Sequence, residues 1–193
     1  MSAFLLHEPN VVFNHIPKTG GLSIRRGAFA GNTSKAHHLA WPESWPKDRS
    51  FSIVRDPVDR FKSGWANKAP NLSFWQVIEH LDKPINSWPE QHPTDIGVNI
   101  RHHLLPQTSP QYRLRQVGFI GCYETLDESF AAMCQEFGIN PVPALPKLNK
   151  SFRDPAKENL TEFQKRVLRE FYHADYDFLG SLTLDPWQAN PLL

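Results

Sequence analysis

Residues 11–24 organise this chain, and they read Val11-Val12-Phe13-Asn14-His15-Ile16-Pro17-Lys18-Thr19-Gly20-Gly21-Leu22-Ser23-Ile24. The β-branched and apolar residues at the start of this segment predict a buried strand over residues 10–16. The glycines allow the following turn to take positive φ and let an anion approach its backbone N–H groups. A helix predicted over residues 22–29 adds its positive end, and Lys18 adds a full charge. The segment is therefore either a phosphate or sulfate site or an ordinary strand–turn–helix with a surface lysine.

A second segment of the same kind lies further along the chain and reads Phe51-Ser52-Ile53-Val54-Arg55-Asp56-Pro57-Val58-Asp59-Arg60-Phe61-Lys62-Ser63-Gly64-Trp65. It predicts a strand over residues 51–54. Asp56 followed by Pro57 predicts the start of a helix, because aspartate caps helices and proline suits their first position. Arg55 then lies at the carboxyl end of a strand, where open α/β sheets bind ligands. Arg55 can bind a phosphate with two donors, and Ser63 can add a hydroxyl. The alternatives are that Arg55 pairs with a local carboxylate and that Ser63 is a helix-surface serine.

The composition indicates a globular protein without a strong net charge. The chain has 193 residues, of which 40% are hydrophobic and 12% aromatic, and this suits one domain with a sizeable core. Its 21 basic and 20 acidic residues give a net charge of +1, which argues against nucleic acid as a partner but allows a local basic pocket. The two cysteines, Cys122 and Cys134, stand in apolar surroundings and predict buried free thiols rather than a disulfide or a metal site.

The chain carries no segment with the run of apolar residues that a membrane span needs. Residues 1–9 are too short for a signal peptide and lack its basic region. These features predict a soluble, cytoplasmic protein without a membrane span. Nothing in the sequence indicates an oligomeric state.

The rest of the chain alternates predicted helices, strands and loops. In order, we expect an amphipathic helix over 72–81, a loop-rich region over 84–113, a buried strand over 117–123, a helix that is capped by Thr125 or Asp127 and ends at Gly138, turns over 141–155, and a final helix over 160–173. This alternation predicts an α/β fold, with a single domain over residues 1–193 and a central, mainly parallel sheet flanked by helices.

Two anion sites suggest a ligand with two separated anionic groups, such as an adenosine nucleotide with 5′ and 3′ phosphates. Residues 15–21, His15-Ile16-Pro17-Lys18-Thr19-Gly20-Gly21, resemble the 5′-phosphosulfate loop of the carbohydrate-type sulfotransferases, the heparan and chondroitin sulfotransferase-like group. Arg55-Asp56-Pro57, with Arg60 and Ser63, resembles their 3′-phosphate motif. Further similarity to this family covers residues 119–126, 145–151, 172 and 175–177.

The resemblance implies a P-loop NTPase-like fold, the sulfuryl donor 3′-phosphoadenosine 5′-phosphosulfate (PAPS), its product 3′-phosphoadenosine 5′-phosphate (PAP), and no metal. It implies that Arg55 and Ser63 bind the 3′-phosphate and that Lys150 and Arg153 close over the donor. It implies a loop that binds the 5′-phosphosulfate, formed by Pro17, Lys18, Thr19, Gly20, Gly21, Leu22 and Ser23. Lys18 is placed to stabilise charge on the leaving phosphate during in-line transfer.

One residue of the loop departs from the family pattern. Leu22 stands where the family usually has threonine or serine. This change removes one hydroxyl contact to the 5′-phosphate and leaves the backbone of the loop intact. Ser23 is the candidate to supply the hydroxyl instead.

The acceptor hydroxyl needs a general base, which in the family is commonly a histidine or glutamate between the two phosphate sites. His37 and His38 lie in that region, and a histidine near its usual pKa suits the task. We favour His38 over His37, with the alternative that both are surface loop residues. His102 and His103 are the competing pair, in a loop expected to face the acceptor. We expect His15 to be structural.

The acceptor is predicted only as a saccharide or another small molecule, since the near-neutral charge disfavours a polyanionic glycan. Trp41, Trp45 and Trp88 can stack on a sugar or pack in the core. The absence of a membrane anchor separates this chain from Golgi-resident relatives and predicts a bacterial or viral cytoplasm. Two other functions stay open. One is a non-catalytic relative that binds a nucleotide or a glycan. The other is a P-loop nucleotide kinase, which the absence of any Gly-Lys pair disfavours.

Overall fold

The computed structural model describes residues 2–34, 41–83, 95–148 and 159–182. At its centre four strands lie side by side in the order β1-β2-β3-β4. The strands are β1 (Ser2–Leu6), β2 (Val11–His15), β3 (Ser50–Val54) and β4 (Phe119–Cys122). The β2–β3 and β3–β4 pairs are parallel, and the β1–β2 pair is antiparallel. The α/β class and the mainly parallel sheet that the sequence predicts are therefore confirmed.

The antiparallel edge strand β1 is absent from the sequence-based prediction. It pairs with β2 in a continuous register from Ser2 opposite His15 to Leu6 opposite Val11. The connecting turn uses Asn10 at a φ of 61°, a left-handed conformation that asparagine tolerates. The hairpin covers one edge of β2, so the strand that leads into the candidate loop is paired on both sides.

Six α-helices surround the sheet within the described ranges: α1 (Pro57–Lys68), α2 (Phe74–Asp82), α3 (Ile96–Leu104), α4 (Leu126–Glu136), α5 (Glu162–Phe171) and α6 (His173–Ser181). The Asp56 side chain accepts a hydrogen bond from the N–H of Asp59, which confirms the predicted start of α1. A π-helix of six residues, Ser23–Ala28, takes the place of the helix predicted over 22–29. No helix in the described part of the chain is long and apolar enough to cross a membrane.

The structure differs from the prediction in two places. Residues 96–104 form α3 rather than a loop, and two short 3₁₀ turns follow at Pro110–Tyr112 and Leu114–Gln116. Gly97 and Asn99 disfavour a helix locally, and α3 packs against α1 and α2. In α3, packing against the other helices outweighs the local preference. The helix predicted over 160–173 is confirmed as α5, and α6 is a further helix that follows it after Tyr172 and was not predicted.

The buried apolar residues form several clusters, some against the sheet and one among the helices alone. One cluster joins the sheet to α4, and another joins α1, α2, α3 and α5. Trp41 and Trp45 are 5% and 8% exposed and pack with Ala3 and Val12, which confirms the core alternative for both. Trp88 lies outside the described residues. Cys122 and Cys134 are buried free thiols, as predicted.

The C-terminal end of α3 is buried, and side chains from other elements bind its carbonyl groups. Arg60 of α1 is fully buried; its Nη1 donates to the carbonyl of His103 at 2.9 Å, and its Nη2 donates to that of Leu105. Two buried tyrosine hydroxyls donate to the neighbouring carbonyls. The Tyr112 hydroxyl donates to the carbonyl of His102 at 2.8 Å, and the Tyr172 hydroxyl donates to the carbonyl of Leu104 at 2.5 Å. These partners satisfy carbonyl groups that a helix end leaves free, and the positive charge of Arg60 suits the negative end of the helix.

Candidate functional site

The turn after β2 is held in shape by its own hydrogen bonds. Lys18 has a φ of 72° and Gly20 a φ of 85°. For a lysine this conformation is costly and persists only when the surroundings impose it. The buried Thr19 hydroxyl donates to the carbonyl of Ile16 at 2.7 Å. The Ile24 N–H donates to the Gly20 carbonyl at 3.3 Å and closes a helical turn directly before the π-helix. The protein therefore fixes the form of this loop.

Both glycines of the loop lie against other side chains. A Cβ atom on Gly21 would lie 2.2 Å from the imidazole ring of His15, and one on Gly20 would lie 3.0 Å from Leu126. Burial, followed by the charge of Arg25, lowers the pKa of His15 to about 3. His15 is therefore neutral near pH 7 and acts as the packing surface beneath Gly21, which confirms the structural role expected for it.

The remaining loop residues lead into the π-helix. Pro17 is buried, and Leu22 has helical φ and ψ. The Ser23 hydroxyl oxygen accepts a hydrogen bond from the N–H of Leu148 at 3.4 Å, and its proton is left to donate. The helical stretch covers residues 21–28, and its N-terminal end lies at the glycines of the loop. Its positive end adds to the charge of Lys18 at this point.

Arg55 follows β3, and its guanidinium group lies beside the loop. Its Nη1 donates to the Lys18 carbonyl at 3.3 Å, and its central carbon lies 4.4 Å from the ring centroid of Tyr123. Its Nε is buried and has no hydrogen-bond partner among the described residues. A buried donor without an acceptor is costly. An anion bound at this point would satisfy it.

Lys18, Arg55 and Lys68 together form a group that we call the cationic cluster. Burial lowers the pKa of Lys18 to about 8, and the charges of Lys68 and Arg55 add to this effect. Burial also lowers the pKa of Lys68. None of the three forms a salt bridge with another described residue. Within the described ranges, the cluster therefore holds positive charge that no carboxylate pairs with, as expected of an anion site.

Lys68 is the member of the cationic cluster that sequence reasoning missed. It is the last residue of α1, three residues after Trp65 and seven after Phe61. This spacing places Lys68 on the face of α1 that packs inward. The sequence could have indicated Lys68 only through its position, as a lysine on the apolar face of a predicted helix. Lys68 belongs to neither of the two motifs.

The carboxylates next to Arg55 bind other groups. The Asp56 carboxylate accepts from the N–H of Asp59 at 2.8 Å and from the hydroxyl of Tyr176 at 3.3 Å. Burial raises the pKa of Asp56. Glu124 accepts from the Asp56 N–H at 2.9 Å. Neither carboxylate forms an ion pair with Arg55, so the described part of the chain gives no support to a local pairing of Arg55.

Ser63 and Arg60, the other two residues that carry the resemblance to the 3′-phosphate motif, have different surroundings. Ser63 is half-buried on α1, and its hydroxyl makes no hydrogen bond to any residue that the structure describes. Arg60 points away from Arg55 and binds the end of α3. Of the residues that resemble the 3′-phosphate motif, Arg55 therefore lies at the loop, whereas Arg60 stabilises the end of α3.

The histidine pair His102 and His103 does not occupy the place expected for it. Both residues are buried in the last turn of α3, at 6% and 8% exposure, rather than in a loop that faces an acceptor. The Nδ1 atom of His103 lies 2.8 Å from the carbonyl of Asn99. That expectation was wrong, because it depended on a loop where α3 forms. Four other predicted residues lie outside the described ranges: His37, His38, Lys150 and Arg153.

A family model described as "Sulfotransferase family" matches residues 2–180, a span that includes the loop, Arg55 and the whole sheet. The chain belongs to the sulfotransferase family. It is accordingly a transferase that acts on sulfuryl groups. No curated protein and no solved structure matches it. Among the residues described for this sulfotransferase, no group of three or more histidine, cysteine, aspartate or glutamate side chains is arranged to hold a metal ion.

Proposed function

We propose that this sulfotransferase moves the sulfuryl group of PAPS to a hydroxyl of a saccharide or small-molecule acceptor by in-line displacement. The observation that carries the proposal is the cationic cluster, which lies where β2 and β3 end and has no carboxylate partner in the described residues. A nucleotide with 5′ and 3′ anionic groups supplies the missing negative charge. The proposal treats residues 1–193 as one catalytic domain of the carbohydrate-type group with a P-loop NTPase-like fold.

The two parts of the site divide the work of donor binding. The backbone of residues 17–23 and the Lys18 ammonium bind the 5′-phosphosulfate, and Ser23 supplies the hydroxyl that Leu22 lacks. Arg55 and Ser63 bind the 3′-phosphate. The buried, unpartnered Nε of Arg55 supports this assignment, because an anion satisfies it. Lys150 and Arg153 complete the enclosure of the donor.

Lys18 supplies the electrostatic part of catalysis. When the sulfuryl group leaves, negative charge grows on the 5′-phosphate oxygen, and a fixed cation beside that oxygen binds more strongly in the transition state than in the ground state. The pKa of Lys18 is about 8 in the free protein. A bound anion favours the charged form of the lysine and raises this value. Lys18 is therefore an ammonium ion in the complex at neutral pH.

PAP is expected to raise the melting temperature by about 5–10 °C at a concentration of about one hundred times its Kd. ATP at the same concentration is expected to raise it much less, because ATP carries no 3′-phosphate for Arg55. Differential scanning fluorimetry measures both shifts. Equal stabilisation by the two nucleotides contradicts the proposal.

The matched pair of variants for this experiment is Arg55→Ala and Arg115→Ala. Each arginine lies over an aromatic ring, with its central carbon 4.4 Å from the Tyr123 centroid for Arg55 and 4.7 Å from the Phe178 centroid for Arg115. Arg115 is exposed and belongs to a 3₁₀ turn away from the loop. We expect Arg55→Ala to abolish most of the shift with PAP and Arg115→Ala to leave it unchanged.

His38 or His37 is our candidate for the general base that takes the proton of the acceptor hydroxyl. The rate of sulfuryl transfer in the wild type is expected to rise with pH through the histidine range, near 6.5 or about one pH unit on either side. The variant that lacks the base loses this rise and about 10² to 10⁴ in rate. Rate–pH profiles of His38→Ala and His37→Ala identify which histidine acts. If both variants keep the rise, the base is another residue.

A further inference from the structure

The backbone of Arg55 is held by the side chain of Gln107, which is fully buried. The Oε1 of Gln107 accepts from the Arg55 N–H at 3.0 Å, and its Nε2 donates to the Arg55 carbonyl at 2.8 Å. These are the two groups that a neighbouring strand binds in a sheet. Gln107 therefore replaces a strand at the point where β3 has ended and the phosphate-binding residue begins.

Gln107 is held in turn by Asp175 of α6. One carboxylate oxygen of Asp175 accepts from the Gln107 N–H at 2.7 Å. The other accepts from the N–H of Thr108 at 2.8 Å and from its hydroxyl at 2.7 Å. Asp175 is fully buried, and a buried carboxylate persists only when donors surround it. The three donors join α6 to the segment that carries Gln107.

We call the hydrogen-bonded series Asp175–Gln107–Arg55 the relay. It ends at the guanidinium group of Arg55, which is only partly hydrogen-bonded. The backbone of Arg55 is fixed on both sides, whereas Nε of its side chain has no partner among the described residues. Stacking on Tyr123 and one bond to the Lys18 carbonyl limit the directions in which the guanidinium can turn. A fixed backbone and a restricted side chain lower the cost of ordering the group when an anion binds.

We infer that Gln107 and Asp175 are positioning residues for recognition of the 3′-phosphate. Asp175 fixes Gln107, Gln107 fixes the Arg55 backbone, and Arg55 binds the phosphate. This inference rests on the proposed function, because it concerns the same nucleotide. A positioning role and a purely structural role predict different effects on nucleotide affinity. Plain support weakens the binding of every nucleotide to a similar degree, whereas positioning of Arg55 affects only those with a 3′-phosphate.

The test compares PAP with adenosine 5′-monophosphate, which is the same molecule without the 3′-phosphate. Gln107→Met keeps the length of the side chain and removes both hydrogen bonds to Arg55. We expect this variant to bind PAP about tenfold more weakly and to bind the monophosphate unchanged, so that the preference for PAP falls about tenfold. Isothermal titration calorimetry on the full chain measures both dissociation constants.

The matched control is Tyr112→Phe, which removes another buried hydrogen bond, from the Tyr112 hydroxyl to the carbonyl of His102, without touching the relay. It lowers stability and leaves the preference for PAP unchanged. A milder variant, Thr108→Val, removes one donor from Asp175 and lowers the preference about threefold. This variant decides the question if Gln107→Met does not fold.

The possible failures are distinct. A wild type that binds the monophosphate as tightly as PAP overturns the proposed function, and the inference falls with it. A wild type that prefers PAP, with a folded Gln107→Met that keeps the full preference, overturns the inference alone. If Gln107→Met does not fold, an unchanged preference of Thr108→Val for PAP over the monophosphate likewise overturns the inference alone.

Discussion

Replacement of Lys18 by alanine is expected to lower kcat by about 10² to 10³. The loss of PAP affinity is expected to be smaller, about tenfold, because Arg55 and the backbone of the loop still bind the donor. The unequal losses follow from the place of Lys18 beside the oxygen that gains charge only during the reaction. Steady-state kinetics with labelled PAPS and calorimetry with PAP measure the two quantities separately.

The acid–base behaviour of Lys18 gives a second measure of the same variant. The pKa of Lys18 lies at about 8 in the free protein and is raised by a bound anion, so PAP binding takes up protons at about pH 8.5. Calorimetry in buffers of different ionisation enthalpy measures this uptake. Between about pH 8 and the usual lysine pKa of 10.5, the unfolded chain binds more protons at Lys18 than the free folded protein. The stability of the free protein therefore gains a contribution from Lys18 as pH rises through this window. Lys18→Ala lacks both effects.

Lys62→Ala is the control for Lys18→Ala. Lys62 lies on α1 and pairs with Asp59 at 2.8 Å on the protein surface. Its removal changes the net charge by the same amount, and we expect kcat, PAP affinity and proton uptake to stay as in the wild type. Equal losses of kcat and PAP affinity in Lys18→Ala contradict the catalytic role. A loss of PAP affinity without any loss of kcat also contradicts the catalytic role.

Arg60→Met is expected to lower the free energy of unfolding by about 2–5 kcal/mol, because each buried carbonyl left without a donor costs about 1–3 kcal/mol. The variant removes the buried cation whose guanidinium group binds the carbonyls of His103 and Leu105, and it leaves these acceptors without a partner. Urea denaturation measures the loss. Arg60→Lys is expected to restore little, because a single ammonium group cannot match a planar group that reaches two carbonyls.

Arg115→Met is the control, since Arg115 is exposed and its removal is expected to cost less than about 0.5 kcal/mol. A loss below about 1 kcal/mol for Arg60→Met shows that the interior tolerates its absence and contradicts the structural assignment. The result also bears on the sequence motif. A folded Arg60→Met that keeps its preference for PAP separates Arg60 from the 3′-phosphate.

Sequence reasoning works best in this chain where the deciding interactions are local. The apolar runs of β2 and β3 and the Asp56-Pro57 start of α1 are confirmed because each depends on residues that are adjacent in the chain. The approach of Arg55 to the loop could also be anticipated, because β2 and β3 are parallel neighbours and their carboxyl ends lie at one edge of the sheet.

The parts that the sequence does not predict depend on contacts between distant segments. Strand β1 forms because β2 offers it an edge, and α3 forms although Gly97 and Asn99 disfavour a helix. Lys68 enters the site because α1 turns it inward. Gln107 and Asp175 lie far apart in the chain and meet only in the folded protein. No local pattern marks either residue as a partner of Arg55.

The contact between His15 and Gly21 has a consequence for the routes by which this loop can change. A side chain at position 21 collides with the imidazole, 2.2 Å from an added Cβ, whereas a smaller residue at position 15 leaves only a gap. Mutations at the two positions therefore have a preferred order, with position 15 losing volume before position 21 gains it. A library that varies position 21 alone is therefore expected to yield variants with a disrupted loop. Variants with a side chain at position 21 and an intact loop are expected only after His15 has been replaced by a smaller residue.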